Sequence, residues 1–177
     1  MSALLLLCVL AAPYVYNENG IGFALEQPAD WVIDSCNQDS LVAFSSRDGL
    51  ASLSINVFED IMWSNALDVF GESTREFLEM GYTLAGKSRL SKGELERAAA
   101  NDGAHFHYIK RDGEMKEHII IMAVVHDNVA LLITFYLPRW RVDRERLTTV
   151  HNMMAAFHFL EPVNSDKESI PPVPPLK

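Results

Sequence analysis

Residues 119–125 read Ile-Ile-Ile-Met-Ala-Val-Val, an unbroken apolar run. Successive side chains of an extended strand point to opposite faces, so a strand apolar at every position has to be covered on both sides and lie inside its sheet. The run has the length of a strand rather than a helix, and β-branched Ile and Val dominate it. It sits within Glu114–His126, which follows Asp112-Gly113 and precedes Asp127-Asn128 and then Val129–Tyr136. Asp-Gly supplies the positive φ of a tight turn, so Ala104–Arg111, Glu114–His126 and Val129–Tyr136 read as an antiparallel meander closed by Pro138.

The flanking elements fit around this meander. Ile21–Glu26 alternates as a strand and leads into a corner at Gln27-Pro28-Ala29-Asp30-Trp31. Leu41–Ser45 and Leu50–Phe58 form a hairpin across Arg47-Asp48-Gly49, with Leu53, Ile55 and Val57 on one face. Leu67, Phe70, Phe77 and Leu78 recur at helical spacing and predict one helix, capped by Ser64 or Asn65 and ended by Gly81. Tyr82–Leu90 reads as a strand, and the polar, Ala-rich stretch Ser91–Gly103 as a connection with room for one helical turn. The last helix spans Val142–Ala156, with Asp143 at its N-cap and Leu147, Val150, Met154 and Phe157 turned inward, and Phe157–Leu160 adds a short edge strand. This order gives a mostly antiparallel sheet with helices laid against it, an α+β fold.

At 177 residues the chain has room for one domain, and 49% hydrophobic residues exclude a disordered chain. A net charge of -9 without a basic stripe excludes nucleic acid as a partner. The cysteines, Cys8 and Cys36, are too few for a disulfide framework or a Cys-rich zinc site. Ala3–Tyr16 is apolar, shorter than a bilayer span, and ended by Asn17-Glu18-Asn19-Gly20. It suits the apolar region of a secretory leader with Ala11 and Ala12 as a cleavage zone, although no Lys or Arg precedes it. The organisation expected is a leader over 1–16, a domain over 17–160 and a Pro-rich disordered tail over 161–177, in a protein located outside the cytoplasm, periplasmic or secreted. Membrane attachment then runs only through an uncleaved leader or one lipidated at Cys8. A truncated start, or a first strand buried in the fold, are alternative readings of the same run.

Several stretches resemble the PsbP-like superfamily. Gly20–Trp31, Gly-Ile-Gly-Phe-Ala-Leu-Glu-Gln-Pro-Ala-Asp-Trp, is similar to its GFSFxxPxxW opening, and Phe44–Leu53 is similar to its FxSPDGxxxLxV hairpin. The likeness continues through Lys116–Tyr136 and the closing Ala155-Ala156-Phe157-His158-Phe159, so that it spans roughly residues 18–160. The resemblance implies an α/β/α sandwich around a mostly antiparallel sheet, used for binding rather than catalysis, with no catalytic residues to carry over. Proteins of this type include lumenal photosystem subunits, exported bacterial lipoproteins, a Ran-binding factor and chaperones for secreted effectors. Two departures stand out: Arg47 replaces the usual Pro after the Ser pair, and Ser91–Gly103 lacks the family-like Gly-x-x-Ala strand.

Two constellations carry the chemistry. A two-residue loop at Asp112-Gly113 sets His107 opposite His118 with His105 two residues along on the same face, a set of imidazoles able to take zinc or copper. The bland reading is three half-exposed strand residues. Arg139, Arg141, Arg144 and Arg146 surround Trp140 and could clamp an acidic partner or a lipid headgroup, with Arg139, Trp140, Arg141 and Arg144 as the contact residues; a solvated helix face paired with Asp143 and Glu145 is the alternative. No G-x-S-x-G, Gly-rich phosphate loop, H-E-x-x-H or C-x-x-C is present, so no enzyme is expected. The function expected is a non-catalytic, exported binding or assembly-support protein with a protein partner and no cofactor. A periplasmic metal-binding protein or a cytosolic chaperone for a secreted protein are the alternatives.

Overall fold

The computed structural model describes residues 13–18, 20–34, 40–58, 66–138 and 144–160. In chain order these form β1 (Pro13–Glu18), β2 (Ile21–Glu26), β3 (Trp31–Ile33), β4 (Val42–Ser46), β5 (Ser52–Phe58), α1 (Ala66–Ser73), α2 (Arg75–Glu79) and β6 (Thr83–Arg89). They continue as α3 (Lys92–Ala98), β7 (Asp102–Asp112), β8 (Met115–His126), β9 (Val129–Leu137), α4 (Arg144–Ala156) and β10 (His158–Phe159). The larger sheet runs β3-β4-β5-β9-β8-β7-β6 and the smaller one β1-β2-β10, and their pairings are antiparallel.

The apolar run lies where its composition requires, on β8 between β7 and β9, with Ile119 through Val124 buried. Its alternate residues feed separate cores. Ile120, Met122 and Val124 join Ile133 and Phe135 beneath α4 and the small sheet, packing on Val150, Met153 and Phe157. Ile119, Ile121 and Ala123 join Phe106 and Tyr108 on the other face, against Phe70 of α1. The result is the expected α+β sandwich, with α1 and α2 on one face of the sheet and α3, α4 and the small sheet on the other. No helix among the described residues is long and apolar enough to cross a membrane.

Four local readings change. The domain begins earlier than residue 17, because Pro13–Glu18 pairs along the whole of β2. Tyr14 meets Phe44 edge-on at 4.9 Å and Tyr16 stacks on Phe23 at 5.1 Å, so residues 13–16 of what reads as leader are core-packing strand. The single helix expected over Leu67–Leu78 is two, interrupted at Thr74. The Thr74 hydroxyl lies 2.8 Å from the Phe70 carbonyl and 2.6 Å from the Tyr108 hydroxyl, a buried side chain bonding back into its own helix where the helix breaks.

The Ser91–Gly103 connection holds the two-turn helix α3, opened by a capping box in which the Glu94 amide donates to Ser91 Oγ and the Ser91 amide donates to the Glu94 carboxylate. Asp102 follows it into β7, and its Oδ2 accepts the Ala66 amide at 2.7 Å, satisfying a donor at the start of α1 from across the fold. The Ser64, Asn65 and Asp143 caps lie outside the described residues.

The β7–β8 register differs by one loop position. Asp112 pairs with Met115, so the loop residues are Gly113 and Glu114, with Gly113 alone supplying a positive φ of 62°. Arg47, the departure from the family pattern, donates its backbone amide to the Asp30 carbonyl at 2.9 Å, a bond that proline, lacking the N–H, could not make.

Candidate functional site

Alternation along β7 turns His105 and His107 toward α4, because Ala104, Phe106 and Tyr108 occupy the opposite face. On β8, His118 stands opposite Ile109 and His107 opposite Ile120, so the two histidines are not directly paired as the Asp-Gly count predicted. A loop displaced by one residue moves each opposing pair by two, which leaves every side chain on its face. The rings therefore still meet, diagonally: their centroids are 5.0 Å apart, and His107 Nε2 lies 2.8 Å from His118 Nδ1. One nitrogen carries the shared proton and the other accepts it. Burial holds both imidazoles below their usual range, helped by His151 for His107 and by His107 and Lys116 for His118.

His105 stands apart from that pair. Its Nε2 is buried without a hydrogen-bond partner, and burial depresses its pKa against the opposing pull of Glu94. Among the described residues no group of three His, Cys, Asp or Glu side chains is placed to hold a metal ion. The three histidines thus share a face without converging on one point.

What they do share is a cleft. A cavity of about 360 Å³ lies between the end of the sheet and α4, walled by Gly86, Lys87 and Ser88 of β6 and by His105 and His107 of β7. Its apolar lining includes Ile120, Leu147 and Met154, and α4 also contributes His151. A smaller cavity of about 180 Å³, which shares His105, His151 and Met154, continues toward Glu94 and Arg97 of α3. Leu147, His151 and Met154 fall at i, i+4 and i+7, so one helical face supplies all three. The sequence reading did not single out His151, although its helical spacing from the inward Leu147 and Met154 carries the signal. Nothing in the sequence, by contrast, marked Gly86–Ser88, because their part in the wall depends on β6 pairing at the end of the sheet.

Of the arginine group, Arg144 and Arg146 are among the described residues. Arg139, Trp140 and Arg141 lie outside the described residues, and Arg144 is exposed at the first turn of α4. Arg146 reaches back to the hairpin turn: its Nη2 meets Asp48 Oδ2 at 2.6 Å and its Nη1 donates to the Leu50 carbonyl. Asp48 also accepts from Ser46 Oγ and the Leu50 amide, and these bonds, with Arg146, hold its carboxyl below the usual range.

No family model matches the chain, and no curated protein does. Solved structures do. The solution structure of cyanobacterial PsbP (CyanoP) from Synechocystis sp. PCC 6803 matches with a TM-score of 0.58 at 13% identity, covering 85% of this chain and 94% of that one. The Saccharomyces cerevisiae Ran-binding protein Mog1p matches with a TM-score of 0.55 at 10% identity, covering 84% and 95%. This chain has the PsbP-like fold. A Bacteroides thetaiotaomicron structure shares it at a TM-score of 0.53 and 14% identity, with 49% of that longer chain covered. At such identities the likeness carries the PsbP-like architecture alone, and what this version of it does has to come from its own side chains.

Proposed function

We propose that the protein is a non-catalytic binding or assembly-support protein that works outside the cytoplasm and engages a protein partner through the face of the sheet under α4. The observation that carries this reading is the cleft itself: an apolar, ready-formed concavity in which His107 is bonded to His118, and His105 Nε2 is bonded neither to Ser88 across from it on β6 nor to Glu94, which faces it from α3. A fold shared with a protein named for binding Ran agrees with use as a docking scaffold. Arg144, on the first turn of α4 and preceded in sequence by Arg139, Trp140 and Arg141, would lie at the rim of the partner contact. The apolar residues ahead of β1 would serve as the export leader, cut or retained close to Pro13.

The test is a pull-down from the native source using full-length protein that carries photocrosslinkers at exposed positions on α4 and β6. The reading expects crosslinks to one protein species from His151 and Ser88 positions and none from the α1–α2 face. Crosslinks confined to α1 and α2 would refute it. Fractionation of the same cells tests export: a protein held entirely in the cytoplasm would support the chaperone reading instead.

A further inference from the structure

Resting on the proposed docking role, we infer that the outer edge of β6 takes an internal extended segment of the partner, added to the sheet as a further strand, with acidic side chains on the α1 face and apolar ones on the cleft face.

The backbone makes the first part of the case. β6 is the last strand of its sheet, paired only with β7 among the described residues, and its side chains from Thr83 to Arg89 are all exposed. Its outer row of amides and carbonyls is open to an incoming strand, which would gain ladder hydrogen bonds whatever its sequence. The register with β7 shifts between Leu84 and Gly86 and is regular over residues 86–89, so the straight part of the edge is the part beside the cleft. The opposite edge of the sheet, β3, offers three residues and no cation. A second copy of this chain is a poor occupant, because two β6 strands paired antiparallel would set Lys87 and Arg89 of both copies on one face with no acid between them.

The register decides what the added strand carries. Residues paired across a sheet share a face. Lys87 pairs with Phe106 and Arg89 with Ala104, both part of the core under α1, so the two cations stand on the α1 face of the edge. Neither belongs to an ion pair among the described residues, and β6 itself holds no acid. Gly86 pairs with His107 and Ser88 with His105, which puts these two small residues on the cleft face, beside an apolar floor of Ile120, Leu147 and Met154. A strand laid along β6 alternates in the same way. Its residues on the α1 face meet two unpaired cations, which opposite charge complements. Its intervening residues flank the cleft, where burial keeps His105 and His107 uncharged and Glu94 faces His105 from α3, so aliphatic side chains suit that side and acids do not.

The experiment uses the full chain and a peptide of alternating Val and Glu, labelled with fluorescein at its N terminus and amidated at its C terminus so that no free terminal charge contributes. One comparison peptide has Gln in place of Glu, and another groups the same Val and Glu residues into two blocks. Fluorescence anisotropy at low salt should show the alternating Glu peptide binding at least about five-fold tighter than either, the scale of two opposite-charge cross-strand pairs. Equal binding of the Glu and Gln peptides would overturn the charge assignment. Equal binding of the alternating and blocked peptides would overturn the added strand.

Lys87→Glu combined with Arg89→Glu locates the contact. Both side chains are exposed, so the thermal midpoint should stay unchanged. The preference should reverse, with a peptide of alternating Val and Lys binding at least about five-fold tighter than the Glu peptide. A double variant that folds and still prefers the Glu peptide would sink the proposal. If no peptide binds while native crosslinks still map to α4, this inference falls and the broader docking role stands.

Discussion

His107 Nε2 lies 2.8 Å from His118 Nδ1, although the residue directly across from His107 is Ile120. The contact needs one neutral acceptor, and burial disfavours charge on either ring. His105, facing Glu94 from α3 and His151 from α4, is depressed as well. Each base holds its proton less tightly in the folded protein than in the unfolded chain, so the unfolded chain binds more protons through the imidazole range. Stability is therefore complete above about pH 6.5 and falls as pH falls below it, ahead of any carboxylate protonation. Urea midpoints measured at about pH 7.5 and about pH 5.5 should show the loss, and His107→Gln should shrink it. Identical midpoints at both values would contradict this account.

The same pairing bears on metal. To ligate zinc or copper through those two nitrogens, His107 and His118 would have to surrender their mutual bond, and His105 is not positioned to complete a set. Native mass spectrometry after incubation with equimolar zinc, then with copper, should show apoprotein once free metal is removed. A retained stoichiometric ion that is lost in His118→Ala would restore the metal-binding reading.

The core of the fold was legible because its signals are local and strong. The doubly apolar β8, the Asp112-Gly113 turn region and the period of α4 each fix an element without outside help. The capping box Ser91-x-x-Glu94 stands in the sequence but went unread, because the polar composition around it disguised α3 as a connection. The helix break at Thr74 could not be read, because it turns on Tyr108, which lies far along the chain. For the site, β7 alternation was enough to put His105 and His107 on one face. Their distances to His118 and His151 depended on a one-residue loop choice and on where α4 docks, neither of which short-range pattern determines.

β1 shows the cost of reading apolar runs by composition alone. Tyr14 and Tyr16 pack on the core through Phe44 and Phe23, so a chain beginning at Asn17 should not fold like the full one. Within the intact chain, Tyr16→Ala should lower stability by about 3 kcal/mol, the scale of a buried aromatic removed. Thermal unfolding followed by tryptophan fluorescence checks both, and a truncation at Asn17 that melts with the full-length protein would remove β1 from the folded core.

Two strand glycines should respond in opposite ways to the same substitution. A Cβ on Gly103 would collide with Leu90 Cδ1 and sit 3.0 Å from the Ala123 carbonyl oxygen, and backbone hydrogen-bonded into a sheet cannot step aside. Gly103→Ala should therefore cost about 2 kcal/mol through overpacking where β6 hands over to α3. Gly86 has open space at the same point and no positive φ, so Gly86→Ala should be neutral or stabilise by about 0.5 kcal/mol through the unfolded chain. Chemical denaturation of the two variants side by side tests the arrangement. If both were equally destabilised, Gly86 would be as crowded as Gly103, and the cleft wall it forms would be closed.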